Sequence, residues 1–104
     1  MKKIEVDCEN IEDEIEDAEK YAELALDCKE EDPAGAEIYY QLANEEMNHM
    51  AMLHKKVVAT IEAYRKEKGE PPEAMKIMYN IFHKKHIAAA ATVKGLLSLY
   101  KGEK

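Results

Sequence analysis

The chain has 104 residues and a formal net charge of −7, with 46% apolar and 36% charged residues. That is one domain's worth of chain, apolar enough to bury one core but not two, which excludes a disordered chain and a multi-domain assembly. The acidic balance excludes a general nucleic-acid binder, because phosphate contact needs a basic footprint.

The charge is unevenly placed. Residues 1–32 carry 14 acidic and four basic side chains, a balance of −10, whereas residues 73–104 carry two acidic and six basic ones, a balance of +4. Two segments of opposite sign attract each other if they pack side by side. The helix formers Ala, Glu, Lys, Leu and Met dominate and β-branched residues are sparse, so the expected class is all-α. Lys2 and Lys3 lead into Ile4-Glu5-Val6-Asp7 rather than into an apolar core, so no signal peptide is expected. The run Ile87 to Ala91 is far too short to span a membrane. The expected compartment is the cytoplasm, with Cys8 and Cys28 reduced and, on one helix, too far apart to bridge each other.

The first helical segment is expected over about 9–30. Ile11, Ile15, Ala18, Tyr21, Ala22 and Ala25 recur there at three- and four-residue steps. Pro33 disfavours helix at Asp32, and Asp32 can then cap a second helix that has Pro33 at its first position. That second segment runs to Lys68, where Gly69 and Pro71-Pro72 stop it. At about 35 residues it is roughly 50 Å long. Its expected inner line is Tyr39, Leu42, Glu46, His49, Leu53, Val57, Thr60, Ile61 and Tyr64. The third segment is expected over 72–100, with Met75, Tyr79, Phe82, Ala89, Val93, Leu96 and Tyr100 as its stripe. Short connections make consecutive helices antiparallel, so the expected architecture is a three-helix antiparallel bundle in a single domain.

Chemistry is expected where these stripes are interrupted. Glu46 and His49 fall where the pattern asks for apolar residues, and three-residue spacing puts their side chains on one helix face. A carboxylate in a buried line is costly unless it is paired or holds a metal. Glu and His together offer oxygen and nitrogen donors suited to iron, manganese or zinc. On the first segment the matching inward acid is Glu14, with Glu16 and Glu19 as alternatives that point more to the side. On the third, His86 interrupts the stripe between Phe82 and Ala89, either as a further ligand or as a core histidine, with His83 on its flank. His54 is expected at the surface, and the methionines 47, 50, 52, 75 and 78 read as soft packing residues. No phosphate-binding glycine loop, nucleophile triad or cysteine metal clip is recognisable.

Glu14 followed seven residues later by Tyr21, and then Glu46-Met47-Asn48-His49 with Met50-Ala51-Met52-Leu53 behind it, resembles the ferritin-like superfamily, particularly its rubrerythrin-type and encapsulated-ferritin-type members. The resemblance covers residues 11 to 57, about half of the chain. It implies a di-iron or di-manganese carboxylate site held by Glu14, Glu46 and His49, with ferroxidase or oxidoreductase activity. A four-helix site of that kind uses two single glutamates and two Glu-x-x-His motifs, and this chain has one of each. The resemblance therefore implies a homodimer that assembles the second half by symmetry, with His86, or His83 and His86, as a competing completion. The rubredoxin-type cysteine clusters of rubrerythrins are missing from the sequence. Two other functions fit the same residues: a metal-stapled dimer without turnover, and an interaction module in which Glu46 and His49 merely pair.

Overall fold

The computed structural model describes residues 2–102. They form three helices, α1 (Lys2–Cys28), α2 (Pro33–Lys68) and α3 (Glu73–Lys101), with no strand among the described residues. The boundaries of α2 are those set by its punctuation. The Gly35 N–H donates to Asp32 Oδ1 at 3.0 Å, with Pro33 in the first turn, and Gly69 ends the helix at φ 83°. A Cβ on Gly35 would lie 2.2 Å from Asp32 Oδ2, so glycine leaves room for the cap.

The first helix begins at Lys2, seven residues ahead of the expected start near residue 9. The reason lies in its packing. Ile4, Cys8, Ile11, Ile15, Ala18, Ala22 and Ala25 follow one another in alternating steps of four and three residues, and all are buried. That 3.5-residue period is the pattern of a helix buried along a single seam. Ile4 and Cys8 extend the seam by two turns, and no Pro or Gly interrupts it. Apolar burial supplies most of the stability of such a helix.

The same period explains a shift in α2. Its buried residues are Ala36, Ala43 and Val57, with Tyr40, Met47, Met50, Ile61 and Tyr64 packed beside them. In its first half this line is turned by about one position from the expected one, whereas Leu53, Val57, Ile61 and Tyr64 lie on the core side as expected. Tyr39, Glu46 and His49 therefore lie along its edge rather than at its centre. On α3 the expected stripe holds in part: Met75, His86 and Val93 are buried and Tyr79, Phe82, Ala89 and Leu96 pack against the core, but in the second half the buried neighbours are Ala90 and Leu97, one position on from the expected Ala89 and Leu96.

Helix α1 packs along both partners, while the backbones of α2 and α3 come close at few points and are joined through side chains, Tyr40 stacking on Tyr100 at 4.8 Å and His54 on His83 at 5.1 Å. The pairs Asp7 with Lys56, Glu14 with His49 and Tyr21 with Tyr39 make α1 and α2 antiparallel. Lys85 with Glu12, and the Lys29 Nζ donating to the Tyr100 carbonyl, set α3 parallel to α1. The acidic helix thus contacts the basic one, as the charge distribution suggests. The molecule measures 56 × 20 × 18 Å, and its radius of gyration of 16.5 Å exceeds the roughly 13 Å of a compact domain this size. No helix is long and apolar enough to cross a membrane among the described residues.

Candidate metal centre

One line of α1 builds the α1/α2 edge. Asp7, Glu14 and Tyr21 are seven residues apart and so lie above one another. Each meets α2: Asp7 Oδ1 accepts from Lys56 Nζ at 2.9 Å, Glu14 reaches His49, and the Tyr21 ring stacks on Tyr39 with centroids 6.1 Å apart. Glu12, two residues before Glu14, pairs instead with Lys85 of α3. At 3.6 residues per turn, Glu14 points to the other side of α1. The glutamate at the middle of this edge is thus set between a salt bridge on one side and an aromatic pair on the other.

Three side chains converge there. Glu14, Glu46 and His49 each offer a ligand atom, and these atoms all lie within 4.8 Å of one another. The His49 Nδ1 is 3.4 Å from Glu14 Oε2 and 3.6 Å from Glu46 Oε1. Glu46 and His49 come from one turn of α2, and Glu14 arrives from the antiparallel neighbour. A cation bound at about 2.0–2.2 Å from each donor would hold those donors roughly 3 Å apart, so only small side-chain movements separate this arrangement from a coordinating one. The carboxylates are mostly covered, while 53% of the His49 side chain is exposed, so the group opens towards solvent on the His49 side.

The two carboxyl groups share a hydrogen bond, and this is the first cause of a Glu46 pKa raised to about 7. Burial and the Glu14 charge push it further up, and His49 pulls it down. Two carboxylates this close do not both ionise readily at neutral pH unless a cation lies between them.

Of the four side chains singled out from the sequence, the fold gathers Glu14, Glu46 and His49 and leaves His86 out of the group. His86 is 5% exposed, beside the Phe82 ring at 5.8 Å, and burial lowers its pKa against the opposing pull of Glu12. Glu16 is exposed, and neither it nor Glu19 joins the group. His54, expected at the surface, is half-buried. Its ring stacks on His83 at 5.1 Å, and its Nε2 lies 3.3 Å from the Tyr79 hydroxyl. Proximity to α3, which α2's own pattern does not encode, accounts for the difference. The sequence reading also passed over Asp7, whose side chain is 3% exposed. Its signal was the seven-residue spacing to Glu14, hidden by the late start assumed for the first helix.

Comparison with known proteins identifies no relative. No family model matches the chain, and neither a curated protein nor a solved structure matches it significantly.

Proposed function

We propose that the chain is a ferritin-like metal-binding protein in which Glu14, Glu46 and His49 hold a divalent cation, and that two chains combine their groups into a di-iron or di-manganese carboxylate site. The observation that carries this reading is the convergence of two carboxylates and an imidazole, from two antiparallel helices, within 4.8 Å. This mixed oxygen and nitrogen donor set fits iron, manganese or zinc. Three donors are too few for two metals, and the exposed side at His49 leaves room for donors from a second copy related by a two-fold axis.

When bound, a di-iron carboxylate centre supplies one-electron redox chemistry towards oxygen or peroxide. The chain's own residues do the rest. Glu46, whose pKa is raised to about 7 beside Glu14, exchanges its proton for the cation. The Tyr21–Tyr39 pair and the Asp7–Lys56 salt bridge keep α1 and α2 in the register that aligns the three donors. The alternative, a metal that only staples the dimer, uses the same ligands and differs in lacking oxygen-dependent Fe(II) oxidation.

The test is thermal melting with Fe(II) under anaerobic conditions, Mn(II) or Zn(II). At a hundredfold excess over Kd, binding adds about 2.7 kcal/mol, an upward shift on the order of 10 °C for a domain this size. Glu46→Ala and His49→Ala should abolish most of that shift, and Glu14→Ala should reduce it. Equal metal-dependent shifts in wild type and Glu46→Ala would reject the site.

A further inference from the structure

The side of α2 that turns towards α3 holds a second concentration of chemistry. The backbones of those two helices stand apart and meet mainly through long side chains, so a groove opens between them, with Ile11 of α1 in its lining. It contains a cavity of about 480 Å³. That volume is in the range of small-molecule sites, which are mostly apolar with a few placed polar groups. Met50, Ala51, Ile87, Ala90 and Ala91 supply the apolar wall.

The polar part of the wall has one character. It consists of His54, His83, His86, Lys55 and Lys94, and no acidic side chain lines it among the described residues. In a protein of net charge −7 the charged groups of this lining are two lysines, Lys55 and Lys94, while burial favours the neutral imidazole at His54 and His86. The imidazole of His86 is buried in the wall, and its Nε2 has no hydrogen-bonding partner among the described residues.

A three-ring bridge closes one end. His54 stacks on His83 at 5.1 Å, His83 stacks on Tyr79 at 5.4 Å, and the Tyr79 hydroxyl lies 3.3 Å from His54 Nε2. These contacts cross from α2 to α3. They separate this cavity from the neighbouring one lined by Val58, Ile61, Pro71, Met75 and Tyr79. A helix laid along the whole groove would have to break the bridge, so the compartment suits a small molecule better than a docked helix. His54, His83 and His86 also do not form a group of converging donor atoms among the described residues, which disfavours a metal.

We propose that this cavity binds a small amphiphile: an apolar chain or ring, lying over Ile11, Met50, Ile87 and Ala90, with a single carboxylate or similar anionic head held by Lys55, Lys94 and the imidazoles. The site is independent of the Glu14 cluster and needs no metal.

Titration of the metal-free protein with octanoate, followed by amide and imidazole NMR shifts, tests it, with octan-1-ol as the neutral counterpart. Octanoate should bind saturably, with shifts centred on His54, His83, Ile87 and Lys94, and octanol should bind about tenfold or more weakly, the cost of one lost charge-assisted contact. The double variant Lys55→Glu/Lys94→Glu changes exposed side chains, and an unaltered circular dichroism spectrum will show that it folds. It should weaken octanoate by about tenfold or more and leave octanol unchanged. Ala91→Trp, which fills the cavity, should remove both. The proposal is overturned by equal affinity for octanoate and octanol, by shifts centred on Val58 and Pro71, or by no saturable binding at millimolar octanoate. Zn(II) perturbing all three imidazoles while octanoate perturbs none would likewise overturn it, in favour of a metal site.

Discussion

At Glu46 a single proton links stability to metal binding. Its carboxyl hydrogen-bonds to Glu14 and titrates near 7 in the folded chain, well above the ordinary glutamate range. A folded-state pKa raised in this way means that the native state holds a proton the unfolded chain releases, so the contribution is fully present below about pH 4.5 and is lost as pH rises through about 7. Stability of the metal-free wild type relative to Glu46→Gln should therefore fall across that interval in urea titrations. A relative stability that rises or stays flat would contradict the shared proton. A second prediction concerns Asp7, buried with one oxygen on Lys56 and the other without a partner among the described residues. Lys56→Met should cost roughly 1–3 kcal/mol, the range for stranding a buried polar group, and Asp7→Asn in the same chain should recover part of it. Chevron or equilibrium denaturation measures both. Glu14, Glu46 and His49 were legible in the sequence because their spacing set them on facing helix sides. Their position at the edge of the seam was not, because 3.5- and 3.6-residue periods place the centre of a 36-residue stripe differently.

Among the elements, α2 could be read almost to the residue, since Asp32, Pro33 and Gly69 each act through local backbone chemistry. The beginning of α1 could not, because Ile4 and Cys8 are helical through their burial against the rest of the molecule rather than through a cap. Helix α3 kept its predicted stripe in its first half and at His86 and Val93, while among the small and closely spaced apolar residues that follow the buried positions are Ala90 and Leu97 rather than Ala89 and Leu96. It also carries one avoidable weakness. Gly95 sits in the helix interior, and a Cβ there would meet nothing within 4 Å. Gly95→Ala should raise stability by about 0.5–1 kcal/mol, the helix-propensity difference, with no change in the NMR shifts of the α1 contacts. A loss of stability would show that the open side of α3 is covered in solution.

Over the whole molecule, the three helices form an elongated body of 56 × 20 × 18 Å in which α1 packs on both neighbours. Ile38, Met52, Ile77, Ile81, Ile87 and Leu99 remain exposed. The sequence pattern supplied the helices and their apolar faces. It could not supply the gap between α2 and α3, because that gap depends on how far each helix leans onto α1. Nor does one chain's sequence fix how a second copy would meet the Glu14 edge, which is where the proposed metal site is incomplete. The most direct test is anomalous diffraction from crystals grown with Mn(II) or Fe(II). A metal peak within bonding distance of Glu14, Glu46 and His49, with a two-fold partner supplying the remaining ligands, is the predicted result. Peaks confined to His54, His83 and His86, or no ordered metal at the Glu14 edge at saturating concentration, would contradict it.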